Sequence, residues 1–130
     1  MSTIEFQNVS KRYVGRSAVN ALSFRIEQGE RVVIHGPSGC GKTTALRLIA
    51  GFLAPDVGTI LVGGQIVAAD GNILVEPGQR HLGMVFQDLA LWPHMTVHQN
   101  LDFVLKAQRM EPVPGVSESE TCWTAFSSKG

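Results

Sequence analysis

The stretch Gly36-Pro37-Ser38-Gly39-Cys40-Gly41-Lys42-Thr43 constrains this chain most. It fits G-x-x-x-x-G-K-[ST], a loop whose backbone N–H groups cradle phosphate. Glycine is needed at Gly36, Gly39 and Gly41 because a Cβ would block close approach of a polyphosphate, and because the loop calls for positive φ. The amides then form an anion nest at the positive end of a helix dipole. Lys42 is placed to reach the β- and γ-phosphates, and the Thr43 hydroxyl to ligate Mg²⁺. The flanks suit the motif. Arg31-Val32-Val33-Ile34-His35 predicts a buried central strand, Lys42 to Ala50 a packed helix, and Gly51 its stop.

The 130 residues suit one domain, and the formal net charge is zero. A nucleic-acid partner would need a basic face, so none is expected. No apolar run is long enough to cross a bilayer, and the polar N-terminus does not read as a signal peptide. Cys40 and Cys122 are far apart, and a disulfide at Cys40 would distort the nest, so a reducing, cytosolic setting is expected.

Along the chain, Ile4 to Gln7 and Val19 to Ile26 read as strands that precede the central one, which predicts a mixed sheet. Gly63-Gly64 between Thr59–Val62 and Gln65–Val67 signals a hairpin, and Asp70-Gly71-Asn72 another turn. Leu82 to Phe86 reads as a second buried strand that ends at Gln87-Asp88. After the apolar loop Leu89 to Pro93, Thr96 and Gln99 form a capping box. Val97, Leu101, Val104 and Leu105 make a stripe on the helix that follows, with Lys106 and Arg109 near its end. His94 and His98 have the spacing of zinc ligands, but Met95 stands where H-E-x-x-H needs Glu. His35 is expected to be packed or hydrogen-bonded. Residues 111–130 show no clear period and read as a divergent or disordered tail.

Taken in order, GPSGCGKTTALRLIAG (36–51), GMVFQD (83–88) and LWPHMTVHQN (91–100) resemble the N-terminal part of an ABC transporter ATP-binding subunit of importer type. The likeness covers about residues 3 to 110. It implies an α/β fold: a P-loop NTPase core with an antiparallel β subdomain, incomplete at the C-terminus. Residues 1–110 would run from the P-loop through the Q-loop to the start of a helical subdomain. The resemblance makes Gly36, Pro37, Ser38, Gly39, Cys40, Gly41, Lys42, Thr43 and Thr44 the ATP cradle and sets Tyr13 against adenine. It makes Gln87, with Thr43, a partner of Mg²⁺ and the attacking water, so that Lys42 and Gln87 serve catalysis. Leu89, Leu91 and Trp92 would sit near the surface that docks a permease. The partners implied are transmembrane permease subunits and a second ATP-binding subunit, and the place implied is the cytoplasmic face of the cell membrane. Val62-Gly63-Gly64-Gln65 echoes the LSGGQ signature but lacks Leu-Ser and precedes Gln87, so it is read as a turn.

The family's LSGGQ, the apolar strand ending in Asp-Glu and the switch histidine are not among these residues. Weak or no ATP binding and negligible turnover are therefore expected, as is marginal stability with an exposed strand edge. Robust phosphate release abolished by Lys42→Ala would refute the former. Cys122-Trp123-Thr124 must be encoded TGY-TGG-ACN; two bases on, it reads Leu-Asp, preceded by an apolar codon and with a further apolar codon across Ala125 and Phe126. This suggests a frameshift around Glu111 to Ser119, against a divergent tail or truncated gene; the coding DNA decides. Rival readings are a non-catalytic fragment that binds only nucleotide or permease, and a small P-loop kinase.

Overall fold

The computed structural model describes residues 3–88 and 91–107. The chain divides into two compact units after Met84.

The first unit is built on a five-stranded antiparallel sheet of order β2-β1-β3-β4-β5. Its strands are β1 (Ile4–Tyr13), β2 (Arg16–Ile26), β3 (Val57–Val62), β4 (Gln65–Ala69) and β5 (Asn72–Ile73). The first two are longer than the alternation of apolar residues predicts, because bulges let both strands continue. Asn8 and Ala21 take positive φ at these irregularities. Ser23 Oγ accepts from the Asn8 amide and Ser10 Oγ from the Ala21 amide, so side chains satisfy the donors a bulge leaves unpaired. Both short turns form as expected. Gly63 and Gly64 have φ of 60° and 80°, as the hairpin between β3 and β4 requires. Asp70 and Gly71 turn β4 into β5.

One helix, α1 (Lys42–Ala50), packs on this sheet. Leu48 is fully buried with Phe6, Val9, Val19, Ile60, Val62, Val67 and Ala68. The Phe6 and Phe24 rings lie 4.6 Å apart. Gly51 ends the helix in the left-handed region, and its N–H donates to the Arg47 carbonyl at 3.0 Å.

Two expectations fail. Residues 31–35 are not a buried strand: no strand ladder includes them, and Val32, Val33 and Ile34 are 49%, 88% and 40% exposed. Leu82 to Phe86 is likewise outside any ladder, with Val85 88% exposed. A run that is apolar on both faces is stabilised only when neighbours pair its edges and cover both sides. Among the described residues no strand pairs with either run, and Leu48 fills the core of the antiparallel sheet. His35, expected to be packed or hydrogen-bonded, is exposed and so is not packed.

In the second unit, α2 (Val97–Ala107) begins at the expected capping box. The Gln99 amide donates to Thr96 Oγ1 at 3.2 Å, and the Thr96 amide to Gln99 Oε1 at 2.9 Å. The expected stripe is only partly covered: Leu105 is buried, whereas Val97 and Val104 are exposed. Arg109 lies outside the described residues.

Candidate functional site

The turn from Pro37 to Cys40 brings residues 36–41 into a loop at the start of α1. The Cys40 amide donates to the Pro37 carbonyl at 3.3 Å. Gly39 and Gly41 have φ of 79° and 99°, where a side chain would be strained. Space is the second constraint. A Cβ on Gly41 would fall inside the van der Waals sphere of the Ala18 carbonyl oxygen on β2. On Gly36 it would stand 2.7 Å from Cys40 Sγ. Glycine at Gly41 thus permits both the turn and the close approach of β2. Gly41 is also the residue that precedes the helix, and no side chain caps it. The first N–H groups of a helix have no partner inside it, so here they are left to whatever the loop binds.

Lys42 folds over this loop. Its Nζ donates to the Gly36 carbonyl at 2.6 Å and the Pro37 carbonyl at 2.7 Å, and lies 3.6 Å from Cys40 Sγ. The ammonium therefore stands at the loop that the sequence assigns to phosphate. Thr43 is exposed and Thr44 half-buried in the first helical turn, and Ser38 and Cys40 are exposed.

Tyr13 ends β1, 45% exposed. It stands opposite Arg16 in the last pair of the β1–β2 hairpin, closed by Val14 and Gly15. Arg12, Tyr13, Gly15, Arg16 and Ser17 line an open cavity of about 280 Å³. Arg16 reaches from this hairpin to the phosphate loop, where Nη2 donates to the Gly39 carbonyl. Sequence reasoning had not singled out Arg16. Its available signal was local: a basic residue directly after the Gly15 turn must face Tyr13 across the hairpin. On the other flank of the loop, β2 and α1 enclose a cleft of about 260 Å³ whose lining includes Val19, Leu22, Ile34 and Ala45.

The first unit thus gathers Tyr13 and Gly36 to Thr44. Gln87 belongs to the second unit, exposed on the turn at 87–88. There Trp92 is half-exposed, its indole edge-on to Phe103 with centroids 6.2 Å apart. Leu91 is exposed, and Leu89 lies outside the described residues. His98 Nε2 is 3.2 Å from Asp102 Oδ2 one turn along α2.

A second residue that the sequence does not single out is buried. Arg80 is 3% exposed, and it donates to four carbonyls. Nη1 reaches Leu48 and Ile49 at 3.0 and 2.9 Å, Nε reaches Val75 at 2.9 Å and Nη2 reaches Val67 at 3.2 Å. It caps the negative end of α1 and ties it to β4. Burial pulls its pKa below the ordinary guanidinium value, opposed by the Glu76 carboxylate.

Comparison with known proteins gives the family and the fold. The ABC transporter family model matches residues 19–128. The spermidine/putrescine import ATP-binding protein PotA of Chromobacterium violaceum is 46% identical over 111 residues, covering 85% of this chain and 29% of that protein. The sn-glycerol-3-phosphate import ATP-binding protein UgpC of Paracoccus denitrificans is 44% identical over 110 residues, covering 85% of this chain and 30% of that protein. The chain thus spans under a third of the length of these curated relatives. Among solved structures, the dimeric post-hydrolysis state of the ATP-binding cassette MJ0796 bound to ADP and Pi superposes with a TM-score of 0.72 at 25% identity. That match covers 95% of this chain and 55% of the other.

Proposed function

Because the chain belongs to the ABC transporter family, we propose that it binds ATP through Gly36 to Thr44 and supplies the nucleotide cradle of an import ATP-binding subunit. The observation that carries this reading is the loop itself. Two glycines there hold positive φ, a third position admits Cys40 Sγ, and the Lys42 ammonium is folded onto the loop. Tyr13 offers its exposed ring to adenine, a contact available to any base because every base has a π-face. Lys42 moves from carbonyl to phosphate partners when the triphosphate enters. The Thr43 hydroxyl is the group of the first unit that would hold Mg²⁺, which neutralises developing charge on the phosphates.

In the whole subunit, this cradle energises solute import by ATP hydrolysis, working as one of a pair beneath transmembrane permease subunits at the cytoplasmic face. Support comes from the similarity to PotA and UgpC, both import ATP-binding proteins, and to the dimeric MJ0796 cassette with ADP and Pi. Among the described residues, no helix is long and apolar enough to cross a membrane. Leu91 and Trp92 form the exposed apolar surface available for a permease.

Titration of the chain with ATP and Mg²⁺ tests the cradle. Weak but saturable binding is expected, without appreciable turnover, and Lys42→Ala should weaken it at least tenfold further, since hydrogen bonds to charged groups contribute about 1.5–3 kcal/mol. Absence of binding by the parent chain, or equal affinity for the variant, would overturn it.

A further inference from the structure

We propose that Arg16 is a second cationic contact for the nucleotide, directed at the α-phosphate, and that it also positions the Gly39 turn of the phosphate loop. The inference rests on the reading that the chain binds ATP. It starts from three facts. Arg16 and Tyr13 are directly paired across the end of the hairpin. The Arg16 guanidinium donates to the Gly39 carbonyl, and a Cβ on Gly39 would stand 3.0 Å from its Nη2. Both side chains line the same open cavity of about 280 Å³.

These facts restrict the path of a bound nucleotide. With its base on Tyr13 and its terminal phosphates at Lys42, the molecule must pass its ribose and first phosphate along the span that Arg16 bridges. Arg16 has five N–H donors in a fixed fork, and the Gly39 carbonyl takes one direction of it. The remaining donors are free to meet an anionic oxygen while that anchor holds. Such charge-assisted hydrogen bonds are about twice as strong as neutral ones. The Gly39 contact has a positioning effect too, because it fixes the turn that aims the loop amides.

The two cations therefore read different parts of one ligand. Lys42 acts on the β- and γ-phosphates; Arg16 acts on the α-phosphate. The test uses the full chain with Mg²⁺ and four ligands: ATP, ADP, AMP and adenosine. Arg16→Ala is expected to weaken AMP about tenfold, to weaken ATP and ADP by at least that factor because the Gly39 turn also loses its anchor, and to leave adenosine unchanged. Lys42→Ala is expected to weaken ATP and ADP and spare AMP. Arg16→Lys should recover part of the AMP affinity through charge alone. Circular dichroism of each variant checks the fold, which the exposed position of residue 16 leaves intact. Unchanged affinities in Arg16→Ala would overturn the assignment, and so would an equal loss for adenosine, which marks a purely structural effect. If the parent chain binds none of the four, the nucleotide reading itself fails and takes this one with it. If Lys42→Ala behaves as expected and Arg16→Ala does not, only the Arg16 assignment fails.

Discussion

At the scale of single residues, two charged side chains hold the first unit together in opposite ways. Arg80 is a buried cation that donates four hydrogen bonds to carbonyls. Its removal leaves up to four acceptors unpaired, of which the Leu48 and Val67 carbonyls are in buried contacts and cost roughly 1–3 kcal/mol each if left so. Arg80→Lys keeps the charge but not the fork, so it is expected to lose on the order of 3 kcal/mol in urea unfolding. A loss under about 0.5 kcal/mol, typical of a surface substitution, would contradict this role. Asp56 works at the surface. Its carboxylate accepts from the Arg12 amide at 2.7 Å and from Lys11 Nζ at 3.0 Å, and these contacts lower its pKa, the amide first. A depressed folded-state pKa means stabilisation that is present above the unfolded value near 3.9 and is lost as pH falls through the folded value. Asp56→Asn is thus expected to cost up to about 1 kcal/mol at pH 7, since an exposed pair contributes little. The difference should shrink as the medium is acidified below pH 4. A constant difference from pH 7 to pH 2 would show that the charge plays no part.

Elements divide by whether their cause is local. The β3–β4 hairpin, the α1 stop at Gly51 and the Thr96–Gln99 box were legible because each depends on residues within a few positions. The phosphate loop was legible for the same reason. Residues 31–35 were legible as apolar, yet pairing depends on distant partners that a short run does not encode. The same limit hid Arg80, which joins α1 to β4 over 31 and 32 residues at Ile49 and Leu48. It also hid Asn100, whose amide closes the loop before α2. Asn100 Oδ1 accepts from the Trp92 amide, and Nδ2 donates to the Thr96 carbonyl. Hydrogen exchange should separate the two kinds of element. Amides at Phe6 and Ile60 are expected to exchange slowly, and those at Val32 and Val33 close to the unprotected rate. Strong protection at Val33 would mean that residues 31–35 pair after all. At the start of α2, Thr96→Ala is expected to lower helix stability by about 1 kcal/mol, measured by protection at Leu105.

For the molecule as a whole, the telling property is what stays exposed. Val32, Val33 and Ile34 in the first unit, and Val85 in the second, are large apolar side chains facing solvent in unpaired backbone. Unpaired, extended apolar backbone templates association. Light scattering of the chain is expected to rise with concentration, and Val33→Lys to reduce it. A scattering signal independent of concentration would contradict this. The same exposure shows where the phosphate loop takes its bearings. The segment leading into it lies outside any ladder, whereas β2 abuts Gly41 through Ala18 and grips Gly39 through Arg16. One hairpin therefore carries both Tyr13 and the contacts that hold the Gly39 and Gly41 turns. For the nucleotide proposed above it would act as a gauge block: the span between ring and loop is machined into a single piece.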